Sequence, residues 1–153
     1  MRWLLAIFLC VALLSCNGHV IFQERKDLPD MVWKYSDPLE FSTEIGNKDE
    51  SFNVYLDIEH SRDFAYGNLY TGITVISPGG DSTFYRISID LADKLGQWLG
   101  TCKGNECSRQ FLIAKQYQFV EAGNNRIIVE QYSRDEDLEG IKSIELTIHA
   151  AEE

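Results

Sequence analysis

Histidine, methionine and proline are scarce in this 153-residue chain, at three, two and three copies. The three histidines, His19, His60 and His149, lie far apart in sequence. No G-x-S-x-G elbow, H-E-x-x-H pair or glycine-rich phosphate loop is present, so the common signatures of serine hydrolases, zinc proteases and nucleotide binders are missing. Basic residues are also few: 14 Lys and Arg face 24 Asp and Glu, a formal charge of −10. That balance repels nucleic acid, which is excluded as a partner, and it repels anionic headgroups as well. No apolar run reaches the roughly 20 residues that a membrane-spanning helix needs. Low-complexity blocks, internal repeats and long amphipathic helical patterns are absent too.

What is present begins at the N-terminus, MRWLLAIFLCVALLSC. One positive charge at Arg2 precedes an unbroken apolar run from Trp3 to Leu14, and Leu13-Leu14-Ser15 leads into Cys16. This is the layout of a lipoprotein signal, with residues 1–15 removed and Cys16 as the new first residue. Cys10 follows the bulky Leu9, where a small residue is required, and so leaves with the signal. Cys16 is expected to carry a diacylglycerol on sulfur and an acyl chain on its amine. Several acyl chains at roughly 0.8 kcal/mol per buried methylene make such an anchor effectively permanent. Loss of Arg2 leaves 13 basic against 24 acidic residues, a balance of −11. The covalent lipid, and no basic patch, is then what holds the chain to a membrane. No other cofactor is expected.

Residues 16–30 have no clean period and read as the lipidated cysteine and a tether, with Asp27-Leu-Pro-Asp30 as a turn. The domain is expected over 31–153, and its pattern is β. Leu39, Phe41, Thr43 and Ile45 alternate with polar residues, as do Phe52, Val54, Leu56 and Ile58. Asn68–Ser77 and Thr83–Leu91 flank Pro78-Gly79-Gly80-Asp81, a strong hairpin signal. Leu91–Gly100 reads as one helical turn or an irregular crossover. Short strands are expected at Phe111–Ile113 and Tyr117–Val120, an extended run at Arg126–Tyr132, a loop at Asp135–Gly140 and a last strand at Ser143–His149. Short strands at this spacing predict a single all-β domain, an antiparallel β-sandwich of immunoglobulin-like or jelly-roll-like topology.

Candidate chemistry is thin. His60 shares the parity of the Phe52–Ile58 face and caps the core edge more readily than it catalyses. Asp57 and Glu59 lie on one strand face at a separation a glycosidase uses, yet alternating acids on a strand are ordinarily just solvated. Asp135-Glu136-Asp137 lacks the ligand spacing of a calcium loop. No catalytic or metal-binding residue is therefore assigned. Cys102 and Cys107 flank a short glycine-containing turn, and an oxidising compartment favours a disulfide between them over free thiols. Tyr66, Tyr70 and Trp98 are the aromatics most suited to an interaction surface, for a protein or for sugar rings; core packing is the competing assignment.

Phe64-Ala-Tyr-Gly-Asn-Leu-Tyr70, Leu91-Ala-Asp-Lys-Leu-Gly-Gln-Trp-Leu-Gly100 and Glu130-Gln-Tyr-Ser-Arg-Asp-Glu-Asp-Leu-Glu-Gly-Ile141 resemble the GldH gliding-motility lipoproteins of Bacteroidetes. Asp27-Leu-Pro-Asp30 followed by Trp33 is similar to the start of that family's domain, and the resemblance runs over roughly residues 22–149. It implies a cell-envelope lipoprotein whose partners are proteins of the gliding and type IX secretion machinery. It implies no enzymatic activity and no catalytic residues. Cys102 and Cys107 depart from the family's pattern and read as a local clip. Asn17 after Cys16, and no early acidic run, favour the periplasmic leaflet of the outer membrane. A glycan- or peptidoglycan-binding module is the alternative.

Overall fold

The structure, a computed structural model, describes residues 19–151. The strands are β1 (Val20–Asp27), β2 (Val32–Lys34), β3 (Leu39–Ile45), β4 (Phe52–Ser61), β5 (Asn68–Ile76), β6 (Ser82–Asp90), β7 (Thr101–Lys103), β8 (Glu106–Tyr117), β9 (Gly123–Gln131), β10 (Asp137–Glu139) and β11 (Ile141–Ala150). One sheet has the order β1-β11-β4-β8-β7 and the other β3-β9-β5-β6, with β10-β2 as a small ribbon. All pairings are antiparallel. Among the eight long strands, the first sheet joins the first, eighth, third and sixth. The second joins the second, seventh, fourth and fifth. That order resolves the topology as a jelly roll.

Alternation places one face of each strand in the core. Phe52, Val54, Leu56 and Ile58 of β4 are buried, as are Ile144, Leu146 and Ile148 of β11. Phe41 and Ile45 of β3 and Ile127 and Val129 of β9 face them from the second sheet. Each such side chain stabilises the fold by roughly 1.5–3 kcal/mol when fully buried. The β5–β6 hairpin closes where the sequence signals a turn. The Ser77 N–H donates to the Asp81 carbonyl at 2.8 Å and the Gly80 N–H to the Ser77 carbonyl at 2.9 Å. Gly80 takes φ +93°, a conformation that glycine adopts without strain.

Three segments differ from expectation. Residues 20–27, placed in a tether, form an edge strand that pairs along β11 from Val20↔His149 to Asp27↔Ser143. Their alternation is concealed because the inward row runs Phe22, Glu24, Lys26, and two charges occupy apolar positions. Residues 20–27 thus belong to the sandwich, which does not begin at residue 31. Secondly, β8 is one twelve-residue strand, Glu106–Tyr117, which contains the expected Phe111–Ile113 and ends where the expected Tyr117–Val120 strand was to begin; residues 118–120 are not strand. Irregular pairing with β4 between Phe52 and Tyr55 shifts its parity and breaks the period. Thirdly, the Asp135–Gly140 loop contains β10, whose Leu138 is buried opposite Trp33 of β2. Leu91–Gly100 is an irregular crossover. The Asp93 carboxylate accepts the Leu95 and Gln97 N–H groups at 2.8 and 2.9 Å, and Ala92 bridges to Trp98.

Candidate functional site

Two concave surfaces involve the second sheet. The first, about 660 Å³, is lined by Phe64, Tyr66, Tyr70, Arg86, Tyr132 and Asp135 among others. Tyr66, Tyr70 and Tyr132 are 43%, 47% and 47% exposed, so they are surface rings and not core. The Arg86 guanidinium lies 4.3 Å over the Tyr132 ring and donates to its hydroxyl at 3.0 Å. Tyr66 donates its phenol hydrogen to the Asp135 carboxylate, and that bond pushes the phenol pKa up. Gly72 leaves room for the exposed Phe84 ring, which a Cβ there would strike at 2.8 Å.

Trp98 does not belong to this hollow. Its half-buried ring packs on His60 at 4.6 Å, and Nε1–H donates to the Arg62 carbonyl at 3.1 Å. Tyr66 and Tyr70 therefore share one surface, while Trp98 plugs the sandwich. His60 is fully buried. Its Nδ1 bonds to the Ser61 carbonyl at 2.8 Å, its Nε2 finds no partner among the described residues, and burial pushes its pKa down. This is a core-edge position.

The second concavity, about 410 Å³, lies between the sheets. Val54, Ala114 and Tyr117 line it from the first sheet, and Ile73, Tyr85 and Ile87 from the second. Tyr85 and Tyr117 meet edge to face at 6.4 Å. Burial, helped by the bond to Tyr85, holds the Tyr117 phenol well above the usual tyrosine range. Sequence reasoning passed over Tyr85, Arg86 and Ile87, since in an alternating strand they read as ordinary inner and outer positions. The missed signal is charge: Ser82–Ile89 and Cys107–Tyr117 contain Arg86, Arg109 and Lys115 and no acid, in a chain of net charge −10.

The carboxylates carry opposed shifts without a shared cleft. Burial pushes Asp57 up despite a 3.1 Å hydrogen bond from Ser108. Burial acts the same way on Glu59, but hydrogen bonds from Arg25 and Lys142 outweigh it and hold its pKa down. Among the described residues, no group of three or more His, Cys, Asp or Glu could hold a metal ion. Cys102 and Cys107 sit opposite each other in the β7–β8 hairpin and are joined by a disulfide. Cys16 lies outside the described residues.

Among solved structures, the chain is similar to a 4-O-methyl-α-glucuronidase with specificity for decorated arabinogalactans. The identity is 12% and the TM-score 0.36, over 89% of this chain and 16% of that one. It is also similar to the VP2 subviral particle of infectious bursal disease virus, with 16% identity and a TM-score of 0.30, over 86% of this chain and 31% of that one. The chain thus spans less than a third of either, and these likenesses carry no functional argument. No curated protein matches. The model of the GldH lipoprotein family matches residues 20–148, from the first strand to the last, and the chain belongs to that family.

Proposed function

We propose that this protein is a non-catalytic accessory component of the bacterial cell envelope, anchored through lipid on Cys16 and serving the gliding and type IX secretion machinery by binding partner proteins. Membership of the GldH lipoprotein family carries this reading. Ser15-Cys16 supplies the acylation point, four residues before β1 begins at Val20. The connecting residues reach at most about 14 Å, so the end of the sandwich holding Val20 and Ala150 faces the membrane. We place the anchor in the periplasmic leaflet of the outer membrane. Two exposed concavities offer binding surface, and the paired carboxylates Asp57 and Glu59 lie on an outer sheet face.

Cys16→Ala tests the anchor. The variant is expected to lose acyl label, and cells carrying it to lose gliding or secretion, while the jelly roll keeps its circular dichroism and melting profile. Full function without acylation overturns the reading. Partner binding is tested by crosslinking in intact cells, read out by mass spectrometry. Recovery of abundant outer-membrane proteins alone counts against it.

One observation favours a second reading, a glycan- or peptidoglycan-binding module. Tyr66, Tyr70 and Tyr132 share an exposed hollow with Arg86, an arrangement able to stack on a sugar ring and bond its hydroxyls. Titration with peptidoglycan fragments separates the two readings. Saturable binding that Tyr70→Ala abolishes supports the glycan, and no binding removes it.

A further inference from the structure

The two lateral sides of a jelly roll are each made of two edge strands, and here only one side is closed. On the other, β6 is the last strand of its sheet and β8 beyond Ser108 is the last of its own. Among the described residues, neither pairs with anything on its outer flank. Between them lies the apolar cleft of about 410 Å³. Phe84 and Tyr85 on β6 are 49% and 41% exposed, in a strand nine residues long with one charge before Asp90. A long, apolar, weakly charged edge is a template for pairing with another chain.

We infer that β6 receives an extended segment of a partner protein as an added strand, with the segment's alternate apolar side chains filling the inter-sheet cleft. The inference rests on the partner-binding reading and names its surface. An added strand engages the free N–H and C=O groups of β6. Residues opposite Tyr85 and Ile87 point into the cleft, and the residue opposite Arg86 points outward beside the guanidinium. The pattern recognised is apolar, acidic, apolar. Arg86, the one charge on β6 before Asp90, complements that acidic residue. A second copy of this chain fits poorly. Arg86 is the central residue of Ser82–Asp90, so centred antiparallel pairing of two β6 strands sets guanidinium against guanidinium. A lipid acyl chain would fill the cleft but leave both edge backbones unengaged.

The test uses the full-length lipidated protein in lipid nanodiscs and fluorescein-labelled peptides as long as β6. One peptide alternates valine and glutamate, one has the same composition in two blocks, and one alternates valine and lysine. The alternating acidic peptide is expected to bind saturably and to slow hydrogen exchange across Ser82–Asp90. The other two are expected to bind at least about tenfold more weakly. Arg86→Glu, an exposed substitution, is expected to reverse the preference toward lysine. Equal affinity for all three peptides overturns the inference, as does protection confined to the Tyr66–Tyr70 hollow. So does oleate occupying the cleft with no peptide bound. If the peptides fail while Cys16→Ala still abolishes function, the edge is overturned and the accessory role stands. If crosslinking finds no envelope partner and Cys16→Ala is silent, the accessory role itself falls.

Discussion

The β1/β3 side and the β6/β8 side of this sandwich solve the same edge problem in opposite ways. On the first, the inward row of β1 runs Phe22, Glu24, Lys26. Phe22 meets Phe41 edge to face at 6.5 Å, Lys26 pairs with Glu24 at 2.5 Å, and its ammonium lies 5.5 Å from the Phe41 ring centre. A pairing irregularity near Val20 and the outward Arg25 add further guards. These are the devices that keep an edge from pairing with a stranger: inward charge, a bulge and ionic decoration. On the second side, the inward row of β6 is Tyr85, Ile87, Ile89, and the sheets stand apart around a cleft. The molecule resists association along β1 and is open to it along β6.

The largest expected effect compares the rings on the two sides. Phe41 is fully buried and meets Phe22 of the facing sheet. Phe41→Ala should cost about 3–5 kcal/mol in urea unfolding. Tyr85→Ala removes a ring that is 41% exposed, and should cost about 1 kcal/mol or less. Equal losses would mean that the open side is as much core as the closed one.

Next in size is the clip that covers the start of the β8 edge. Replacing both Cys102 and Cys107 with serine frees a short loop, and the chain-entropy argument gives a loss of about 2 kcal/mol. Hydrogen exchange should then quicken at Thr101–Glu106 and leave β1 unchanged. Faster exchange throughout the sheet would show that the clip holds the whole open side and not just its end.

The guard of β1 can be transplanted to β6. Ile87 is half-buried on β6, and Ile87→Lys puts an inward charge where β1 carries Lys26. Its long stem can reach solvent, so the loss of stability should stay near about 1 kcal/mol. Binding of the alternating acidic peptide should fall at least about tenfold. Unchanged binding would show that the cleft takes no part in recognition.

These contrasts also explain what could be read in advance. The β3, β4, β5, β6 and β11 periods were legible because one face of each is apolar and the other polar, and the Pro78–Asp81 turn is explicit. Glu24 and Lys26 hid β1 for the very reason that they guard an edge: charge was placed where the period demands an apolar residue. The β8 irregularity hid the strand that faces β6. Tyr66 and Tyr70 were recognisable as surface aromatics, but Trp98 was not separable from them, because its burial depends on His60, which is distant in sequence. The cleft could not be read at all, since an inward isoleucine looks the same whether or not the opposite sheet reaches it.

A weaker effect is a pH dependence seated on β4, away from the β6 edge. Arg25 of β1 and Lys142 of β11 both bond Glu59 of β4, and Lys142 also reaches Glu106 at 2.5 Å. Glu59 is thereby held below the ordinary carboxylate pKa of about 4.3, although burial alone would raise it. A group whose folded pKa is depressed stabilises the fold above its unfolded pKa and loses that contribution as pH falls through the folded value. His60, also depressed, follows the same sign from a higher start, near its unfolded value of about 6.5. These two groups should therefore withdraw stability in two stages, one below about pH 6.5 from His60 and one below about pH 4.3 from Glu59, while Asp57, whose pKa burial raises, acts with the opposite sign as its carboxylate is protonated. Glu59→Gln should flatten the lower stage alone, and the peptide-binding edge at β6, which contains no member of this network, should bind as before at neutral pH. If Glu59→Gln weakened peptide binding at neutral pH, the two sides would be coupled through β4, and the open edge would no longer be independent of the closed one.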